Sequence, residues 1–355
     1  MVALSPRALP RAEFWAGKRV FLTGHTGFKG GWLSLWLHEL GAISAGYALA
    51  PETTPDIFSV CNVGSVLQHQ IGDVRDLAAL TAAMGAFQPD IVLHLAAQPL
   101  VRASYVFPVE TFATNIMGTA NLLDATRKTP SVKLAIIVTS DKVYAESSSE
   151  RHLESGRLGG RDPYSASKAC AELVTASFPM PASQKIASVR SGNVIGGGDW
   201  AEDRLLPDFF RSIFAGEVLK IRNPHAIRPW QHVLDPLCGY LVAAEYLWSR
   251  PVESRDAWNF GPDAQSEVTV AELAEKICLL WGDNAACHVE PQDGAPHEAP
   301  VLRLNSDKAR RELSWRSGWN LEQSLGATVD WFRHFREGHD MAKFTASQIK
   351  AYCES

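Results

Sequence analysis

The sequence predicts an α/β protein: a doubly wound parallel sheet joined to a smaller mixed lobe. Three observations carry this. From Arg19 to about Arg190, short apolar runs alternate with amphipathic stretches, as parallel strands covered by helices on both faces require. The first run, Val20 to Thr23, leads straight into Gly24-His25-Thr26-Gly27-Phe28-Lys29-Gly30. Leu33, Trp36, Leu37 and Leu40 then follow at helical spacing, so a glycine turn joins a first strand to a first helix. After residue 190 the texture changes to loops rich in Gly, Pro and Trp, among them Gly196-Gly197-Gly198-Asp199-Trp200 and Ile227-Arg228-Pro229-Trp230.

The elements follow in order. Strands are expected at Val20 to Thr23, Ile43 to Tyr47, Leu67 to Ile71, Ile91 to Leu95, Leu134 to Thr139 and Ile186 to Val189, each a short apolar or β-branched run. Asp76 is placed to cap the helix after the third of these. Tyr164-Ser165-Ala166-Ser167-Lys168 lies on a helix, with Tyr164 and Lys168 on one face. A helix from about Pro236 to Trp248 and a strand near Trp258-Asn259-Phe260 return to the first lobe. The expected division is therefore residues 1–190 with a return segment at about 232–262, and a second lobe of 191–231 and 263–355. Trp200 and Trp230 read as core aromatics.

Composition narrows the function. The chain has 355 residues and a formal charge of -5 with both signs scattered, so neither a nucleic-acid footprint nor a membrane patch is suggested. Its six cysteines show no CxxC and no metal-ligand spacing with histidine, so no metal is expected. Residues 1–18 carry prolines and charges where a leader needs an apolar run, and no later run is long enough to span a bilayer. A cytoplasmic protein is expected.

The motifs carry the chemistry. A glycine turn opening a helix lets the backbone approach a dinucleotide pyrophosphate, whose charge the helix N-terminus favours. No acid ends the second strand, where Tyr47-Ala48-Leu49-Ala50 stands. Residues 41–66 nevertheless contain no Arg or Lys to pair with a 2′-phosphate, which favours NAD over NADP. A lysine beside a tyrosine hydroxyl lowers its pKa toward neutrality, which is the expectation for Tyr164 and Lys168. Thr139-Ser140-Asp141-Lys142-Val143-Tyr144 falls at the C-terminal end of a central strand, where open α/β sheets gather reactive groups. Asn193 and the glycine loop after it can approach phosphates, while Arg204, Arg222 and Arg228 offer forked donors. The block around Arg228 is the favoured diphosphate clamp.

Together these residues resemble the extended short-chain dehydrogenase/reductase family, in its NAD-dependent epimerase/dehydratase group. The markers are residues 22–32, His94-Leu95-Ala96-Ala97-Gln98-Pro99-Leu100-Val101-Arg102, Thr139-Ser140-Asp141-Lys142, residues 192–200 and Ile227-Arg228-Pro229-Trp230-Gln231-His232. The resemblance implies a Rossmann-type fold, bound NAD and a nucleotide-sugar substrate, CDP-glucose, that loses water between C5 and C6. It implies that Gly24, His25, Gly27, Phe28, Lys29 and Gly30 surround the pyrophosphate, that Asp73 and Val74 frame the adenine, and that Ala96, Ala97 and Asn115 line the dinucleotide path. Tyr164 is then the base for oxidation at C4, Lys168 its partner, and Ser140 the hydroxyl that binds the C4 oxygen. Asp141 becomes the acid for the C6 hydroxyl, with Lys142 beside it as the base for C5 or the support of the enolate. Gln98, Arg102, Asn193, Arg204, Arg222, Arg228, Gln231 and His297 are implied to hold the substrate. A homodimer or homotetramer through the Tyr164 helix and residues 109–128 is also expected. A nucleotide-sugar 4-epimerase and a non-catalytic NAD-binding protein are the competing readings, and Asp141-Lys142 argues against the epimerase because epimerisation expels no hydroxyl.

Overall fold

Strands made of continuous apolar runs need both faces covered, and the chain meets that need with one seven-stranded parallel sheet. The computed structural model describes residues 6–146, 151–250, 255–282, 285–290 and 301–355. The strands are β1 (Arg19–Thr23), β2 (Ile43–Ala48), β3 (Gln68–Ile71), β4 (Ile91–His94), β5 (Leu134–Val138), β6 (Lys185–Ser191), β7 (Val194–Ile195), β8 (Leu219–Ile221), β9 (Ile227–Pro229), β10 (Gln231–His232), β11 (Arg255–Phe260), β12 (Glu267–Thr269) and β13 (Cys287–Val289). The sheet runs β11-β6-β5-β4-β1-β2-β3. All its pairs are parallel, with Thr23 beside both Tyr47 and His94. The strand order reverses between β1 and β4, and a crevice opens there at the C-terminal ends.

The burial pattern explains the order. β4, β5 and β6 are buried at every position, whereas all four residues of β3 are exposed, so the polar strand Gln68-His69-Gln70 sits at the edge. Asp76 does cap the next helix, Leu77–Phe87, by accepting from the Ala79 N–H. One core lies between the sheet and the helices Phe28–Glu39 and Leu234–Trp248, and a second lies on the opposite face under Leu77–Phe87 and Gly118–Arg127. The helix Phe28–Glu39 is buried almost all round, because the C-terminal helix Met341–Glu354 packs on its outer side. β11 completes the sheet beside β6.

Above the strand ends the pairs β7–β10, β8–β13 and β9–β12 form small two-stranded sheets. They hold the segment 192–231 over the crevice. Among the described residues no helix is long and apolar enough to cross a membrane.

Candidate active site

A cleft of about 550 Å³ lies between the strand ends and this upper layer, within the size range of small-molecule sites. Its floor begins at the glycine turn. Gly24 has φ +79°, and a Cβ there would lie 2.7 Å from the Ala96 nitrogen, so only glycine lets β1 turn this close to β4. Gly27 is the N-cap of the helix Phe28–Glu39, and no side chain caps that start. The cradle left open beside bare helix N–H groups fits a dinucleotide pyrophosphate. Gly24, Gly27, Phe28, Gly30, Asp73, Val74, Ala96 and Ala97 all line the cleft.

The reacting groups stand on two elements. Asp162 caps the helix Pro163–Ser177 by accepting from the Ser165 N–H, and that helix presents Tyr164 and Lys168 to the cleft. Ser140 caps the single helical turn Asp141–Val143 at the end of β5, accepting from the Lys142 N–H. Its Oγ donates to Asp141 Oδ1 at 2.9 Å. The other Asp141 oxygen, Oδ2, is buried with no hydrogen-bond partner among the described residues. Gly192 makes room for it, since a Cβ there would stand 1.9 Å from Oδ2. Lys142 is half-buried and lines the cleft beside it.

The electrostatics correct one expectation. Burial pushes the Tyr164 phenol up to about 12, against a hydrogen bond with Ser140 that lowers it. Lys168 is pulled down to about 8 by burial, with Glu172 opposing, and its Nζ donates to the Val138 carbonyl at 3.2 Å. The lysine does not bring the phenol toward neutrality here, because its ammonium is turned to the β5 backbone. Lys29 is likewise pulled down to about 7, first by burial and then by Arg204. It sits at the reacting end of the cleft, its Nζ donating to Ser191 Oγ at 2.9 Å and to Tyr240 Oη at 3.4 Å.

Four of the named residues do not line the cleft. His25 turns under β2, its ring against Gly46 and its Nε2 2.6 Å from His69 Nδ1, and burial lowers it to about 4. Asn115 accepts from the Gln98 N–H and donates to the Gln98 carbonyl and to Ser167 Oγ, so it ties the loop after β4 to the Tyr164 helix. The Gln98 side chain donates to Thr111 Oγ1. Gln231 is buried and donates to the Gly192 and Phe260 carbonyls, which supports the cleft wall from behind. His297 lies outside the described residues.

The arginines do gather at the cleft. Arg102, Arg204, Arg222 and Arg228 line it together with Asn193. Three of them are paired to carboxylates of the 199–208 segment. Arg204 meets Asp199 at 2.9 Å, and Asp203 takes both Arg222 at 2.6 Å and Arg102 at 3.8 Å. Arg228 is buried and donates to the Ile227 carbonyl. Trp200 and Trp230 are core residues with one edge on the cleft, Trp200 packing on Phe332 and Phe335. Sequence reasoning missed Glu172 and Arg190, and named Thr139 only as part of the Thr139-Ser140-Asp141-Lys142 motif, without a role. The signal was available for the first, because Glu172 continues the four-residue spacing of Tyr164 and Lys168 along the same helix face.

A parallel sheet with a glycine turn, a Tyr/Lys helix and a Ser-Asp-Lys turn at one crevice defines a short-chain dehydrogenase/reductase of the epimerase/dehydratase type. The GDP-mannose 4,6 dehydratase family model matches residues 21–328, and the chain belongs to that family. It is 46% identical to the CDP-glucose 4,6-dehydratase of Salmonella typhimurium over 350 residues, which is 96% of this chain and 97% of the relative. Solved structures share the fold. UDP-glucose 4-epimerase of Thermotoga maritima, with UDP-glucose, has a TM-score of 0.78 at 23% identity, covering 90% of this chain and 99% of that one. DesIV of Streptomyces venezuelae, a dTDP-glucose 4,6-dehydratase with NAD bound, has a TM-score of 0.77 at 23% identity, covering 91% and 99%.

Proposed function

We propose that this chain is a hydro-lyase that converts CDP-glucose to CDP-4-keto-6-deoxyglucose with NAD as a resident cofactor. The observation that carries the reading is Asp141, a buried carboxyl with one oxygen unpartnered among the described residues, in the cleft that also holds Tyr164 and Ser140. An epimerase has no departing hydroxyl for such a group to protonate. The close relationship to a CDP-glucose 4,6-dehydratase supports the choice of base and sugar.

The residues divide the work. Gly24, Gly27 and Gly30 would hold the pyrophosphate of NAD+, which when bound would supply the acceptor for the C4 hydride and its later donor to C6. Ser140 binds the C4 hydroxyl, and Tyr164 takes its proton once ionised. Lys168, an ammonium below its value of about 8, favours that ionised form once its Nζ turns from the Val138 carbonyl toward the phenolate. The C4 ketone makes the C5 hydrogen acidic. Asp141 serves as the acid at the C6 oxygen, its proton passing there as the C–O bond breaks and water leaves. The C5 proton leaves to a base as the C5–C6 double bond forms, and Lys142, next on the same turn, is either that base or the support of the enolate oxygen. A proton returned to C5 then closes the balance.

Asp73 and Val74 are assigned to the adenine, and Arg102, Asn193, Arg204, Arg222 and Arg228 to the diphosphate and sugar. Subunit association is proposed through the exposed apolar residues Val106, Phe107, Val109, Met117 and Leu173. They belong to the helices Val101–Val106 and Pro108–Phe112, to Phe107 between them, to the adjoining 113–117 turn and to the Tyr164 helix on which these pack. A homodimer is the simplest assembly of that face, and sedimentation of the Val109→Asp variant as a smaller species than wild type is the expected result.

The reading is tested with the Asp141→Asn variant, CDP-glucose and NAD+. Reduction of the nicotinamide, read by its absorbance, with no dehydrated product is expected; normal release of the dehydrated sugar would remove Asp141 from the role.

A further inference from the structure

Directly behind the reacting groups lies a buried polar cluster to which the mechanism above gives no role. Its centre is the Glu172 carboxylate, on the same helix as Tyr164 and Lys168. Arg190 Nε donates to Oε1 at 2.9 Å and Arg190 Nη2 to Oε2 at 2.7 Å. Ser188 Oγ donates to Oε2 at 2.6 Å, and Thr139 Oγ1 donates to Oε1. The arginine continues the network. Its Nη1 donates to Tyr144 Oη at 2.7 Å, and that hydroxyl donates to Asn259 Oδ1 at 2.7 Å.

The placement of these contacts is specific. Thr139 is the residue immediately before Ser140, and Tyr144 is the residue immediately after the turn Asp141–Val143. The turn that carries Ser140, Asp141 and Lys142 is therefore bonded at both ends to one ion pair. Arg190 also stands two residues before Gly192, the residue against which the Asp141 carboxylate packs. An ion pair needed only for cohesion gains nothing from this arrangement, since a buried pair is on average no more stabilising than apolar residues of the same size. Such a pair does fix geometry, because each of its bonds is directional and none can be exchanged for water.

We infer that Glu172 is a positioning residue for the dehydration. Its carboxylate, through Thr139, Arg190 and Tyr144, locks the turn bearing the elimination acid to the helix bearing the oxidation base, and so sets the distance between C4 chemistry and C6 chemistry on one sugar. This inference rests on the dehydratase reading. Oxidation draws on the Tyr164 helix and on Ser140 at the very start of the turn, whereas elimination also needs Asp141 and Lys142, further along the turn, in register with that helix. Misplacement by a fraction of an ångström is thus felt in the second step first.

Two variants test it while leaving the ion pair intact: Thr139→Val, which keeps shape and loses the hydroxyl, and Tyr144→Phe. Each is assayed with CDP-glucose for kcat and KM, for its pH profile, and by rapid quench with mass analysis of the enzyme-bound sugar. A fall in kcat of about tenfold at unchanged KM is expected. The quench should contain the 4-keto sugar that still bears its C6 hydroxyl, and the acid limb of the pH profile should move. Thr139→Ser, which restores the donor, should return to within about twofold of wild type. A lowered melting temperature with kcat, pH profile and quenched sugar all as in wild type would overturn the inference and leave the cluster purely structural. Failure of the dehydratase reading looks different: the wild type itself would release no dehydrated sugar from CDP-glucose.

Discussion

Two buried polar clusters lie back to back at the end of β5, and they are built on opposite rules. In the rear cluster the Glu172 oxygens each accept two hydrogen bonds and Arg190 is paired on both sides. Arg190 is held above its ordinary range, and Glu172 is held below its own by Arg190, Ser188 and Thr139 despite its burial. In the front cluster Asp141 Oδ2 has no partner among the described residues. Tyr164, Lys168 and Lys29 stand at about 12, 8 and 7 because burial disfavours their charged forms. A satisfied cluster resists change. An unsatisfied one is completed by a ligand, and the displaced proton affinities mark where protons move.

This contrast can be broken in several places. The largest effect is expected from Asp141→Asn at the front, where loss of the acid should lower release of the dehydrated sugar by on the order of 10²–10⁴ with little change in melting temperature. Glu172→Gln at the rear should add to a smaller loss of turnover a loss of stability that Asp141→Asn lacks. It strands the buried Arg190 charge, and denaturant titration should read a loss of about 3–5 kcal/mol of stability. Should the two variants give the same balance of stability and activity, the distinction between the clusters fails.

A smaller effect sharpens the comparison at the cleft mouth. Asp203 occupies Arg102 and Arg222, both assigned to the diphosphate, so it competes with the ligand. Asp203→Asn should tighten CDP binding about two- to fivefold in calorimetry, with the gain shrinking at high salt. The smallest effect is expected at Asp235, a buried carboxyl outside both clusters. It is raised to about 7 by burial, although the Gly318 N–H and Tyr352 hydroxyl donate to Oδ1. A carboxyl with a raised value binds its proton more tightly when folded, so its contribution is full below pH 4 and is lost as pH rises to about 7. Asp235→Asn should flatten the fall in stability across that window, measured as melting temperature against pH.

How much of this was legible in the sequence follows from where each signal is written. The parallel sheet was readable because β1, β4, β5 and β6 are unbroken apolar runs. The glycine turn was readable because chemistry there acts through backbone, and only Gly24 permits it. Tyr164 and Lys168 were readable as an i, i+4 pair. The roles of His25, Gln98, Asn115 and Gln231 were not, since a polar side chain within a motif can face the ligand or brace the backbone behind it. Only the fold decides, and here all four face inward. The same limit hid the rear cluster. Thr139, Glu172 and Arg190 are far apart in sequence, and nothing local joins them. It also hid the state of Tyr164, whose phenol is governed by burial and by the direction of the Lys168 side chain, neither of which spacing records.

The most direct test of the account is the fate of CDP-glucose with the purified protein and NAD+, followed by the mass of the sugar product and the nicotinamide absorbance together. The expected product is lighter by one water, with no net change in the cofactor at completion. An isomer of unchanged mass would contradict the dehydratase reading and assign the cleft to epimerisation, and net cofactor reduction would contradict the return of hydride to C6.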